Sequence, residues 1–126
     1  MARFFWICLG GAIGTGGRYL LSGWLAKVAG AGFPYGTLGV NLLGSFLLSL
    51  VMQLALTTGL SPATRLFVAT GLVGGFTTYS TFNYETLQSL EEGAWSLGLL
   101  NLGATVLGCL VAGLLGIAVG RMWLGK

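Results

Sequence analysis

The feature that most limits what this chain can fold into is a series of four long apolar stretches, separated by three short polar breaks. They run from Phe4 to about Ala26, from about Gly36 to Thr57, from Pro62 to about Leu90, and from about Ala94 to Gly120. Crossing a hydrocarbon layer of about 30 Å takes about 20 helical residues, and each stretch reaches that length. The breaks carry helix stop and start signals. KVAGAGFPYG contains Pro34, and Glu91-Glu92-Gly93 forms a turn. In TTGLSPATR, Ser61 reads as an N-cap and Pro62 as a first-turn proline. The expected fold is an all-α membrane protein: one four-helix transmembrane domain over residues 1–126, with the third helix broken in mid-span.

Composition agrees. Charged residues make up 7% of the chain and hydrophobic ones 55%, whereas a soluble domain carries about 25% charged residues. The net charge of +3 comes from six basic and three acidic residues. The basic residues form no cluster, which argues against nucleic acid as a partner. Arg3, Lys27, Arg65, Arg121 and Lys126 fall near expected helix ends, where long cationic side chains anchor at the interface. With no histidine, imidazole metal ligation and His-based acid/base catalysis are excluded. Cys8 and Cys109 lie far apart in apolar segments and suggest neither a disulfide framework nor a zinc site. MARFFWICLGGAIG faintly resembles a signal peptide. It lacks a small-x-small cleavage site and its helical pattern continues, so it is expected in the mature chain.

An even number of spans places both termini on one side, with Arg3, Arg65, Arg121 and Lys126. Lys27, with Arg18 nearby, lies towards the other. So weak a positive-inside bias predicts a chain that inserts either way round. Glycine occurs 23 times. Gly10, Gly14 and Gly17, Gly39 and Gly44, and Gly108, Gly113, Gly116 and Gly120 recur at helical spacing. Small residues let helices approach closely in lipid. Four tight helices of this size enclose little alone, so a homo-oligomer is expected.

Polar groups inside lipid are costly unless paired or wetted, and ionisable ones mark functional sites. Arg18, in GTGGRYLLSGW, reads either as a snorkelling side chain or as a fixed cation at the mouth of an aqueous path. Asn41, Ser45 and Ser49 recur every fourth residue and form a polar stripe. Asn41 reads as helix glue or as an amide donor to an anion. Asn101, Thr105 and Cys109 form a second stripe at the same spacing. Glu85, the only acid within a span, shares a face with Thr81 and Thr78. It reads as an acceptor for hydroxyls or as a group that helps ions or protons move.

The densest polar cluster is GGFTTYSTF, residues 74–82. Gly74-Gly75 is the expected break, and carbonyls freed there survive in a membrane only if protein, water or an ion satisfies them. Such carbonyls suit a hard cation such as Na⁺. The N–H groups opening the second half-helix favour anions. Thr77, Thr78, Ser80 and Thr81 add hydroxyls. Tyr79 and Phe82, three residues apart, project from one face and offer the positive edges of their rings. A path lined by ring edges, hydroxyls and one amide holds an anion weakly at several points, as conduction requires. A packing kink with aromatic filler is the competing reading.

Four segments together carry a resemblance: GGAIGTGGRY (10–19), GTLGVNLLGSF (36–46), GGFTTYSTF (74–82) and the Glu85 that follows. In this order, over the whole chain, they resemble the Fluc family of small bacterial fluoride channels. The resemblance implies a dual-topology, antiparallel homodimer in the lipid bilayer of the bacterial inner (plasma) membrane. It implies two pores, each lined by both subunits, through which fluoride leaves passively. It also implies a structural Na⁺ at the dimer interface, held by backbone carbonyls at Gly74 and Thr77. The pore aromatics then correspond to Tyr79 and Phe82, the pore asparagine to Asn41, the vestibule arginine to Arg18, the hydroxyl track to Ser80 and Thr81, and the acid to Glu85. Asn101 and Thr105 fall where such proteins carry a polar track. Tyr79 departs from the usual phenylalanine by one hydroxyl.

Two other classes compete. A four-helix proton-coupled drug exporter needs a glutamate deep in its first helix, where this chain has Arg18 and no acid. A membrane scaffold would pass no ion. An enzyme is not expected, because the chain offers no nucleophile–base pair.

Overall fold

The computed structural model describes residues 1–125, with the backbone alone at Thr57. Lys126, expected to close the chain at the interface, lies outside the described residues. Helices α1 (Ala2–Ala29), α2 (Tyr35–Thr58) and α6 (Trp95–Trp123) are long single rods. The third rod is composite. It opens with α3 (Pro62–Arg65), widens into a π-helix over Leu66–Val73, and returns to α-geometry in α4 (Gly74–Phe76). It breaks at Thr77 and Thr78 and resumes as α5 (Tyr79–Glu91). Among the described residues there is no strand.

The helix ends follow the local chemistry. The Ser61 hydroxyl accepts from the Thr64 N–H at 3.2 Å, with Pro62 in the first turn, as expected for a capped start. Gly59 closes α2 in the left-handed region (φ 66°) and Gly93 turns the chain into α6 (φ 79°). The Arg65 guanidinium donates through Nη2 to the Ala55 carbonyl at 2.8 Å. That bond ties the start of the third rod to the last turn of α2, where orphan carbonyls need donors.

Packing proceeds in two parallel pairs. Gly10 lies against Gly71, and Gly14 so close to the Leu72 carbonyl that a Cβ there would overlap it. On the other side Gly116 meets the Phe46 carbonyl, and Gly120 meets Gln53. Gly10, Gly14 and Gly116 thus let backbones approach closely, while Gly120 makes room for a side chain. The enclosed core is small: Val40, Ala55, Val73 and Phe82 are its buried apolar side chains. Most large apolar residues, including Leu107, Leu110 and Leu114 of α6, face outwards.

By length and apolar composition, α2 (over Tyr35–Leu56) and α6 qualify as membrane spans, and both are mostly unburied within the protomer. The first rod, about 42 Å long at about 1.5 Å per residue, is long enough to cross but less apolar, because Arg18 and its glycines lower its hydropathy. The third rod is divided, and its longest helix is the 13 residues of α5.

Candidate functional site

The break lies three residues beyond the expected glycines. Gly74 is helical (φ −61°, ψ −38°), whereas Thr77 (φ −83°, ψ 158°) and Thr78 (φ −149°, ψ 103°) are extended. The expectation that Gly74-Gly75 breaks the helix is therefore corrected. Gly75 serves packing instead: a Cβ there would lie 2.7 Å from the Gly11 carbonyl oxygen. The Thr15 hydroxyl donates to the Gly75 carbonyl at 3.3 Å.

What breaks the helix is a better partner for Thr78. Its N–H donates to Asn41 Oδ1 at 2.7 Å, and Asn41 Nδ2 donates to its carbonyl at 3.0 Å. One side-chain amide thus satisfies both backbone groups of an extended residue, and both residues are buried. An amide nitrogen carries two protons, so Asn41 keeps a second N–H. Its two sequence readings coexist: it is glue, and it still holds a donor.

Diverting the Thr78 N–H leaves the Gly74 carbonyl without its i+4 partner. The Thr77 carbonyl loses its own likewise, because the Thr81 N–H donates to the Thr78 hydroxyl at 3.3 Å. That hydroxyl donates to Thr81 Oγ1 at 2.8 Å. Thr78 therefore caps α5 at its N-terminus. Glu85 takes a different hydroxyl from the two expected. Thr78 and Thr81 pair with each other, and Glu85 Oε1 accepts from Thr37 Oγ1 at 2.8 Å. Its Oε2 is buried without a partner.

Thr78 and Asn41 separate two cavities. One, of about 250 Å³, holds Arg18, Thr15, Thr37, Thr78 and Thr81. It adjoins a wider mouth of about 570 Å³ that reaches Glu85 and Glu92. The other, of about 280 Å³, holds Asn41, Ser45, Thr77, Tyr79, Phe82, Thr105 and Cys109. It continues between α2 and α6 as a groove of about 660 Å³ past Ser45, Ser49 and Cys109. Five of the six stripe residues, Asn41, Ser45, Ser49, Thr105 and Cys109, therefore face one groove. The aromatic pair meets edge-on at its upper end, with ring centroids 5.5 Å apart. Phe82 is 3% exposed and Tyr79 76% exposed.

Some predicted residues lie elsewhere. Ser80 is exposed and lines neither cavity. Asn101 sits behind the groove at 1% exposure, donating to Thr86 Oγ1 at 2.9 Å. Sequence reasoning missed Thr37 and Thr86. Thr37 was within reach, since it lies four residues before Asn41 and extends that stripe backwards. Thr86 gave no signal beyond its place one turn after Phe82. Among the described residues no cluster of three carboxylate or thiol side chains could hold a metal.

Fold and site together define a small all-helical protein with two apolar spans and a polar, interrupted third rod flanked by cavities on both sides of the break. The family described as CrcB-like protein, Camphor Resistance (CrcB), matches residues 5–117. The chain belongs to that family. It is 54% identical over 122 residues to a protein of Sorangium cellulosum named fluoride-specific ion channel FluC, covering 96% of each chain. Proteins of the same name from Anaeromyxobacter sp. strain K (53% identical; 89% of this chain, 90% of the relative) and Magnetococcus marinus (48%; 93% and 96%) are also similar. The name these relatives share is that of an ion channel, not of an enzyme.

Proposed function

We propose that this chain is a fluoride-selective channel that lets fluoride leave the cytoplasm passively, working as an antiparallel homodimer in the bacterial plasma membrane. The observation that carries the reading is the break at Thr77–Thr78, pinned by Asn41 between two cavities whose linings include hydroxyl side chains. Relatives named fluoride-specific channels cover nearly the whole chain, and the residues around the break fit that activity.

No bond is made or broken in this transport. Fluoride exchanges its hydration shell for protein donors. Arg18 draws anions into the first cavity. Beyond the break, the spare N–H of Asn41, the ring edges of Phe82 and Tyr79 and the hydroxyl of Thr105 replace water at several points. Ser45, Ser49 and Cys109 carry the polar atoms on along an otherwise apolar groove. Each donor is neutral, so the ion is held weakly enough to leave. Thr81 extends the donor set at the α5 N-terminus, and Glu85, fixed by Thr37, borders the mouth.

The open groove and the outward Tyr79 ring are completed by a second copy. The carbonyls of Gly74 and Thr77, released from i+4 pairing, fit a Na⁺ site shared by two such breaks. An ion held there would supply positive charge that keeps the carbonyl dipoles of the two breaks together. Purified protein in planar bilayers tests the reading. Currents that reverse near the fluoride equilibrium potential in mixed NaF/NaCl gradients are expected. Reversal at the chloride or sodium potential overturns it.

A further inference from the structure

We propose that Thr86, which lies outside the groove, is a positioning residue that sets the direction of the Thr105 hydroxyl and thereby how tightly the groove holds fluoride. The inference rests on the channel reading above. Proton order along one buried hydrogen-bond chain carries it.

Thr86 Oγ1 lies 2.8 Å from the Phe82 carbonyl oxygen. A carbonyl only accepts, so the single hydroxyl proton of Thr86 is committed there. Towards Asn101, Thr86 can then only accept. The Asn101 amide is therefore turned with Nδ2 on Thr86, at 2.9 Å, and Oδ1 on Thr105, at 3.4 Å. An amide oxygen is also a pure acceptor, so Thr105 must donate. Thr86, Asn101 and Thr105 are 8%, 1% and 6% exposed, so solvent competes little for these bonds.

The consequence falls on the groove, which Thr105 lines beside Asn41, Phe82 and Tyr79. The Thr105 proton points back at Asn101, and its lone pairs are left for the groove. Fluoride must draw that proton away from Asn101. The link is the longest of the chain, near the outer limit of a hydrogen bond, so the exchange is easy. Thr105 acts as a two-position donor, parked on Asn101 or turned to the anion. Asn41 is the fixed counterpart, because Thr78 holds its amide at both ends. An internal competitor for the proton weakens anion binding, which favours exit.

Thr86→Val tests the chain with little change of volume. It places a methyl against Asn101 Nδ2. Flipping the amide exchanges an unpaired buried donor for an unpaired acceptor and brings Nδ2 to Thr105. The Thr105 hydroxyl then accepts, and its proton turns to the groove. The readout is fluoride current against fluoride concentration. The half-saturating concentration is expected to fall about fivefold, the size of one net hydrogen bond, and the maximal current to fall with it. Asn101→Leu removes the acceptor outright and should shift the curve the same way, leaving the Thr86–Phe82 bond intact. Thr86→Ser keeps the hydroxyl and should restore the wild-type curve. Loosened packing alone would lower the current without tightening occupancy. An unchanged or raised half-saturation in Thr86→Val or Asn101→Leu protein that elutes like wild type overturns this inference alone. So does a Thr86→Ser curve that matches Thr86→Val. A wild-type protein that passes no fluoride overturns the channel reading, and this inference with it.

Discussion

Asn41→Leu should cost both stability and flux, and the size of the stability loss follows from two distances. The substitution keeps the side-chain volume and deletes the bonds at 2.7 Å and 3.0 Å to Thr78. Thr78 is 7% exposed, so its N–H and C=O are left without water. Each unpaired buried group costs about 1–3 kcal/mol, which gives about 2–6 kcal/mol for the pair. At about 3 °C per kcal/mol, the thermal midpoint should fall by roughly 6–18 °C. Aggregation onset of the purified protein in detergent, followed by intrinsic tryptophan fluorescence, measures it. Fluoride flux should fall as well, because the extended Thr77–Thr78 segment loses the contact that fixes it. A variant melting within about 2 °C of wild type would show that Thr78 finds other partners, and that Asn41 does not hold the break.

Asn41→Asp keeps the acceptor for the Thr78 N–H but sets an anionic oxygen in the groove. Fluoride flux from liposomes should drop at least tenfold, about 1.4 kcal/mol of barrier, and unchanged flux would remove Asn41 from the lining. Phe82→Ile removes the ring edge and some buried volume, so the melting midpoint should fall by roughly 3 °C, about 1 kcal/mol, while flux through the folded protein drops well beyond that; full flux would make the ring packing only. In Tyr79→Phe, flux should stay within about twofold, because the tyrosine hydroxyl has no hydrogen bond among the described residues and the ring edge proposed to meet the anion persists. A larger loss in stopped-flow efflux would assign that hydroxyl a role. Exchanging Na⁺ for N-methylglucamine on both sides of the membrane should abolish flux if carbonyls of Gly74 and Thr77 hold the ion; undiminished flux would leave those carbonyls to other partners.

Much of this was legible in the sequence because lipid imposes simple rules. Apolar length marked the four rods to within a few residues, and Ser61-Pro62 and Gly93 marked two of their boundaries. The i, i+4 stripes on α2 and α6 were readable as faces, and the structure turns all of them but Asn101 to one groove. The location of the break was not legible. Glycine weakens a helix locally, but here a tertiary partner decided where it ended, and nothing near Thr78 in sequence announces Asn41. The π-helix over Leu66–Val73 leaves no mark in composition. The partner of Glu85 was misassigned for the same reason: helical periodicity pointed to Thr78 and Thr81, whereas the bond comes from Thr37 on a different rod. Thr86 was invisible because its part depends on proton order along a chain of contacts.

The most direct test of the central claim is paired efflux from liposomes holding the purified protein, with fluoride and chloride electrodes recording the same vesicles. Rapid loss of fluoride with chloride retained is the predicted result, and it would make the Asn41-pinned break an ion-contacting element of a channel. Retention of both ions, or release of both together, would contradict it and return the break at Thr77–Thr78 to a packing kink.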